Sequence, residues 1–297
     1  MIPLFIQGIT EEITKYAGFA TGSICIIIEH MELEIIRADP AGNITIFVLN
    51  PPESVEKRTT AARALLAAPA LNAEQVGFVL PPEEPGGLWT LEMMGSEFCG
   101  NASRSFGLLV ARKTGLSGKS VLTLKVSGAQ QPLDVHIDTL SGYAEIEIPA
   151  PLAAGTIELN GRIFPMYVFD GICHIIAENL PFDTALAFKL LQKVKETAWD
   201  HRPDACGILF YDSQKIFGQP LVWVRSTDSF VSESSCGSGC AALALWHARN
   251  AEEIDQVLNI AQPGGILTTH LIKSKGLVRS LSIGGQVILN EPEKFVC

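Results

Sequence analysis

Glu97-Phe98-Cys99-Gly100-Asn101-Ala102-Ser103 and Ser234-Ser235-Cys236-Gly237-Ser238-Gly239-Cys240 are one turn written twice, 137 positions apart. Each sets a Cys and a Gly ahead of an apolar run of helical character. Asn101 and Ser238, two residues after each cysteine, suit a helix start, where a side-chain oxygen accepts an orphan backbone N–H. Gly100 and Gly237 leave room for a ligand to approach the backbone. Free N–H groups at a helix start, with the dipole behind them, favour an anion such as a carboxylate. The same field lowers a cysteine pKa. One such elbow could be a packed cap and nothing more. Two in matching places point to paired use on the two faces of one carbon, where a thiolate removes a proton and a thiol on the opposite face delivers one. Abstracting the α-proton of an amino acid demands stabilisation of the carbanion or enediolate, which two helix N-termini aimed at one carboxylate supply. It also demands a base and an acid on opposite faces and a closed cleft that excludes water.

Working outward from the elbows, short β-rich runs fill both halves of the chain. In the first they are Cys25–His30, Leu33–Ala38, Ile44–Leu49, Val76–Leu80, Leu88–Met93, Val121–Val126 and Leu133–Asp138. In the second they are Tyr143–Ile148, Tyr167–Phe169, Cys173–Ala177, Gly207–Phe210, Val222–Arg225, Ile266–Ile272 and Leu281–Ile288. Several alternate apolar and polar residues, as half-buried strands do. Helices are expected over Glu56–Leu66, Ser103–Lys113, Thr184–Trp199, Ala241–Asn250 and Ala251–Leu258. Pro149-Ala150-Pro151 breaks any ladder and marks a boundary between halves. Each half therefore has strands, a long helix and one elbow that opens a further helix. That is the pattern of a duplicated α+β unit, two pseudo-symmetric domains with a cleft between them.

Composition limits the alternatives. The 297 residues, 47% hydrophobic and 18% charged, are too apolar for disorder and long enough for two domains. A net charge of −10 argues against nucleic acid, whose phosphates need a basic footprint. Ile24–Ile28, within the most compact apolar run, is far short of the roughly 20 residues that span a bilayer. No Lys/Arg cluster precedes an apolar N-terminal segment, so no signal peptide and a cytoplasmic location are expected. The seven cysteines are odd in number and scattered, unlike a disulfide framework. Cys236 and Cys240 lack the second pair that a tetrahedral metal site needs, so no metal is expected. Cys25, Cys173, Cys206 and Cys240 read as small core residues.

The residues gathered so far resemble the diaminopimelate epimerase family, cofactor-independent amino-acid racemases and epimerases related to proline racemase. The likeness runs from about Ile36 to the C-terminus and is carried by Gly95-Ser96-Glu97 with Cys99-Gly100-Asn101, and by Cys236-Gly237-Ser238-Gly239. Weaker matches agree in order: Gly42-Asn43, Gln75 before a strand, Gly171 with His174, Gln262-Pro263-Gly264-Gly265, and Gly284-Gly285. The resemblance implies two halves, each a barrel-like, mainly antiparallel sheet around a central helix. It divides the chain into residues 1–148 with a returning strand at 283–297, and residues 149–282. It implies Cys99 and Cys236 as the catalytic pair, with no cofactor. It also implies that Asn43, Gln75, Gly100, Asn101, His174, Gly237 and Ser238 hold an amino-acid substrate. No membrane or nucleic-acid partner is expected, and a homodimer is left open.

The departures bear on the substrate. Glu92 stands where diaminopimelate epimerases carry an Asn. Ile172-Cys173-His174 replaces Asn-Pro-His, and Arg225 is the candidate counterpart of a family Arg whose Glu-Arg-Gly context is gone. Those missing groups hold the distal centre of diaminopimelate, and their loss would leave polar ends of that substrate unpaired, at about 1–3 kcal/mol each. Glu92 suits a basic or imidazole side chain, and Glu233 either pairs with a substrate cation or caps a helix. A racemase of another amino acid is expected, with histidine the leading choice. Diaminopimelate epimerase proper, a proline racemase or isomerase relative, a carboxylate-binding protein of the same fold and a cysteine hydrolase remain the alternatives.

Overall fold

The computed structural model describes residues 30–197, 203–225 and 228–297. Among them run eighteen strands and four helices. Strand β1 (Glu32–Asp39) pairs antiparallel with β2 (Thr45–Val48). Strand β2 runs parallel to β3 (Gln75–Leu80), and a parallel neighbour requires a crossover, here helix α1 (Val55–Ala67). Next, β3 pairs antiparallel with β4 (Thr90–Met93), and β4 runs parallel to β5 (Lys119–Val126). The crossover between those two is α2 (Gly100–Thr114), which the Cys99 elbow opens. Strands β6 (Leu133–Asp138) and β7 (Tyr143–Glu147) follow antiparallel.

The rest of the chain begins with a hairpin of β8 (Ala153–Leu159) and β9 (Arg162–Val168), and β9 pairs antiparallel with β10 (Ile172–Glu178). Helix α3 (Thr184–Glu196) then crosses to the parallel strand β11 (Ala205–Asp212). Strand β12 (Phe217–Val224) is antiparallel to β11 and carries the short β13 (Ser229–Ser232) on its other edge. Helix α4 (Gly237–His247), opened by the Cys236 elbow, crosses to β14 (Ile254–Gln262), parallel to β12 at Phe217 and Ala261. Antiparallel strands β15 (Gly265–Ser274) and β16 (Leu277–Gln286) follow. Strand β16 also pairs with β7, while β17 (Ile288–Leu289) and β18 (Glu293–Val296) pair with the outer edge of β1. The class is α+β, a large, mostly antiparallel sheet with few helices.

The two elbow helices are core elements. In α2 every residue from Asn101 to Ala111 is buried, and α4 is buried from Gly239 to Leu245. Helix α4 is apolar on nearly all sides and so has to sit inside the protein, while α2 carries Asn101, Arg104 and Ser105 inside with it, each hydrogen-bonded. Both contribute to one hydrophobic cluster with β6, β7, β15 and β16, among them Phe106, Leu109, Leu243, Val135, Ile146, Leu267 and Leu281. A second cluster packs Leu190, Leu191 and Val194 of α3 on Ile175, Ile208 and Leu221.

One expectation is overturned. Ala251–Leu258 does not form a helix, since β14 begins at Ile254 and pairs with β15 along its whole length. The acidic start suggests a helix, but Asp255 and Asn259 face out while Leu258 and Ile260 face in, the two-residue period of a strand. Strands β8, β13 and β18 have no counterpart among the expected ones. Helices α2 and α4 each begin three or four residues earlier than expected, directly at Gly100 and Gly237. The expected strand at Cys25–His30 and the expected helix end at Trp199 lie outside the described residues, apart from His30 itself. Among the described helices none is long and apolar enough to cross a membrane.

Candidate active site

Each elbow is built by its cysteine acting as N-cap. Cys99 has φ −126° and ψ 111°, and Cys236 has φ −126° and ψ 113°, so the two capping residues share one backbone conformation. An N-cap residue is extended while the next is helical, which leaves the first-turn N–H groups free to point outward. Cys99 Sγ accepts from Ala102 N at 3.4 Å, in the way a cap oxygen would. Cys236 Sγ stands 3.6 Å from Ser238 Oγ.

Strand β16 brings the two turns together. A methyl group added at Gly100 would lie 2.8 Å from Ile283 Cδ1, and one added at Gly237 would overlap the same atom. Both elbow glycines therefore pack on one side chain, and both helix N-termini start beside it. Polar contacts join the turns as well. Asn101 Nδ2 reaches Ser235 Oγ at 3.3 Å and Asn43 Oδ1 at 3.4 Å. Asn43 Nδ2 donates to Glu74 Oε2 at 2.6 Å, and Ser234 Oγ donates to Glu74 Oε1 at 2.9 Å. Gln262 clamps the second elbow, because its Oε1 accepts from Cys236 N at 2.8 Å while its Nε2 donates to Cys240 Sγ at 2.7 Å.

Burial dominates the electrostatics. It pushes the Cys99 thiol up to about 11, against the Ala102 N–H and the Gln75 side chain, which favour the thiolate. It pushes Cys236 up further, reinforced by the carboxylate of Glu233. Burial raises Glu233 itself to about 7, although its hydrogen bond with the Cys236 side chain opposes that shift. His174 is buried on β10 with its Nε2 2.8 Å from Ser238 Oγ, and burial drives its pKa down to about 3. It is therefore a neutral imidazole, and it touches Ser238, not a thiol. A cysteine hydrolase, by contrast, would pair a His base with its thiol.

Of the residues singled out in the sequence, Asn43, Gln75, Gly100, Asn101, His174, Glu233, Gly237 and Ser238 lie around the two cysteines. Glu92 and Arg225 do not touch them. The pleat turns Leu91 and Met93 toward α2 and Glu92 toward α1, where it pairs with Arg58. Arg225 donates to the Pro203 carbonyl and lies 4.0 Å from Asp204. Cys173, Cys206 and Cys240 are buried as expected, while Cys25 lies outside the described residues. Sequence reading missed Glu74, Arg104 and Ile283, and it took Gln262 only for a turn. Their partners are 31 or more positions away in the case of Glu74 and up to 182 for Arg104, so local pattern carries no trace of them.

The fold is shared with the crystal structure of a hydroxyproline epimerase from Agrobacterium vitis. The TM-score is 0.59 over 89% of this chain and 91% of that one, with 13% identity. A histidine racemase of Fusobacterium nucleatum is 31% identical over 241 residues, 79% of this chain and 88% of its own. A histidine racemase of Staphylococcus aureus is 27% identical over 260 residues, 86% of this chain and 94% of its own. The protein is an isomerase of the racemase and epimerase class. Residues 32–291 match the family described as the histidine racemase CntK N-terminal domain, and the chain belongs to that family.

Proposed function

We propose that this protein racemises a free amino acid, histidine, by two-base proton transfer between Cys99 and Cys236, without a cofactor. The observation that carries this reading is the packing of both elbow glycines on Ile283, which sets two cysteine-capped helix N-termini side by side. In the forward direction one thiolate takes the Cα proton and becomes a thiol. The other thiol gives its proton to the opposite face of Cα and becomes a thiolate. The proton count is unchanged, and the two cysteines end with exchanged states. The substrate carboxylate lies against the first-turn N–H groups of α2 and α4, which stabilise charge as it develops on the enediolate. Neutral His174 holds Ser238 in place beside Cys236.

The same reading takes the chain as two halves, residues 1–148 with 283–297 and residues 149–282, around a cleft that holds Asn43, Gln75, Gly100, Asn101, Gly237 and Ser238. The order of pairings supports it. From β1 to β7 and again from β9 to β16 (with β13 set aside) the senses run antiparallel, parallel, antiparallel, parallel, antiparallel, antiparallel. Histidine is favoured because both curated relatives described above are histidine racemases. Glu74 and Glu233, close to the second elbow, suit an imidazole or its cation.

The test is proton exchange in deuterium oxide. Each enantiomer of histidine should gain deuterium at Cα as it is converted to the other. Cys99→Ser and Cys236→Ser should each lower racemisation by about 10²-fold or more, the usual worth of a positioned acid or base. Full turnover in both variants would overturn the two-base assignment, and exchange with other amino acids but not histidine would overturn the substrate.

A further inference from the structure

A helix fixes its backbone only from its first helical residue onward, and the residue that caps it lies half outside. In α2 the buried stretch runs from Asn101 to Ala111. Cys99 stands before it in an extended conformation, so the place of its Sγ depends on the chain that leads in. That lead, Met94-Gly95-Ser96-Glu97, is exposed, and Ser96 takes a left-handed φ of +59°. One hydroxyl ties the lead down at both ends. Ser127 Oγ accepts from Met93 N at 2.9 Å and donates to Glu97 O at 3.0 Å. The next residue, Gly128, lies against the peptide that joins Glu97 to Phe98. A methyl group on Gly128 would overlap Phe98 N and stand 2.6 Å from Glu97 C. Its φ of +74° is also one that favours glycine.

Ser127 and Gly128 directly follow β5, the strand to which α2 crosses over. At the second elbow the strand reached from α4 is β14, and its end plays the same part. Gln262, the last residue of β14, accepts from Cys236 N across 26 positions, and Gly264 N donates to Ser234 O at 2.8 Å. Glu97 and Ser234 each stand two residues before their cysteine. Each elbow is therefore gripped at the same carbonyl by the turn that ends its own crossover. The donor is a serine hydroxyl in the first half and a backbone N–H in the second.

We infer that Ser127 and Gly128 are positioning residues for racemisation, holding the lead into α2 so that Cys99 Sγ stands where proton transfer needs it. This assignment rests on the two-thiol reading above and adds what sets the place of one thiol. Both residues act through the Glu97–Phe98 peptide, outside the reacting atoms. The first-turn N–H groups that receive the substrate carboxylate belong to α2 itself, whose buried stretch stays put when the lead shifts. Loss of the seat therefore moves the sulfur without moving the carboxylate site. Proton transfer slows while substrate affinity holds. Ser127 is half-buried and Gly128 exposed, and neither belongs to either hydrophobic cluster, so changing them leaves the core packing intact.

The experiment joins kinetics to thiol labelling. Gly128→Ala should lower kcat by about 10²-fold, the usual effect of displacing a reacting group by about 1 Å. KM should stay within about threefold, because ground-state binding is kept. Ser127→Ala should lower kcat too, and Ser127→Thr, which keeps the hydroxyl, should restore most of it. With no substrate present, iodoacetamide labelling of the folded proteins is followed peptide by peptide. Cys99 should react faster relative to Cys236 in Ser127→Ala and Gly128→Ala than in the parent, and Ser127→Thr should return the ratio to the parent value. Cys236 in the same molecule is the reference, so a general loosening that frees both thiols leaves the ratio unmoved. If Gly128→Ala does not fold, the two Ser127 variants decide. A Ser127→Ala protein with a lower thermal midpoint but the parent kcat and labelling ratio would overturn the assignment and leave Ser127 as a stabiliser of its turn. A raised KM at unchanged kcat would overturn it as well. The labelling ratio involves no substrate, so its failure is distinct from a failure of racemisation in deuterium oxide.

Discussion

Two titratable residues near the second elbow respond to acid in opposite directions. The pKa of His174 is about 3 in the folded chain, against 6.5 for a free imidazole. Between those values the unfolded chain binds a proton that the folded chain refuses, so His174 costs stability as pH falls. Glu233 is the reverse case, at about 7 against 4.5. Between those values the folded chain holds a proton that the unfolded chain has lost, so this contribution is present at low pH and disappears as pH rises through 7. From pH 6.5 to 4.5 the two slopes oppose. Removing Glu233 should unmask the histidine. In urea titrations, Glu233→Gln should lose stability on acidification more steeply than the parent, with an added slope of up to about 1.4 kcal/mol per pH unit. A parallel profile in the two proteins would contradict the buried carboxyl. At this scale the two helix starts were legible because a helix start is a local event, read from four or five adjacent residues, but the caps are Cys99 and Cys236 themselves, not Asn101 and Ser238, which stand inside the first turn where Asn101 Oδ1 accepts from the Arg104 side chain. Glu92 was not, because the direction of its side chain depends on the pleat and on Arg58, 34 positions away.

At the scale of elements, α2, α4 and β16 form one joint, and its tolerance can be measured. Ile283 Cδ1 fills the space that a methyl group at Gly237 would need. Gly237→Ala should therefore destabilise the protein by about 1–3 kcal/mol, as overpacking does, and lower racemisation by disturbing the helix start. Ile283→Val removes the opposing carbon and on its own should cost about 0.5–1.5 kcal/mol. Together they should cost less than the sum, with a coupling of at least about 0.5 kcal/mol in a double-mutant cycle. Strict additivity would mean that the two residues do not touch. Most elements were visible in the sequence for the physical reason that alternation and helical period are local. The error at β14 is instructive on the same ground. Ala251-Glu252-Glu253 has helical propensity, but Ile254 onward is fixed by its ladder with β15, and tertiary pairing overrides a weak local preference. Strands β8 and β18 escaped notice because they are largely exposed and carry little apolar alternation.

For the whole molecule, the longest connections are the ones that a single sequence conceals. Ser234 and Glu74 are 160 positions apart and meet in one hydrogen bond. Arg112, in the last turn of α2, donates to the carbonyls of Leu289 at 3.0 Å and Asn290 at 2.7 Å. The segment it grips is the return of the chain to β1, where β18 pairs Val296 with Glu32 and Glu293 with Ile35. Strand β1 is therefore an interior strand, with β2 on one edge and β17 and β18 on the other. Deleting residues 288–297 would turn it into an edge strand with unpaired N–H and C=O groups, a template for association with other chains. The deletion also strips Arg112 of both carbonyls, yet it removes no residue of either elbow. The expected result is a lower thermal midpoint, at about 2–4 °C for each kcal/mol lost in a chain of this size. Amide exchange should quicken in β1, and the protein should associate as its concentration rises. Well below the new midpoint the monomer should still exchange the Cα proton of its substrate. Unchanged β1 exchange would show that the returning strands add nothing to the sheet. Loss of Cα exchange in a folded monomer would show instead that they help to set the distance between the two thiols.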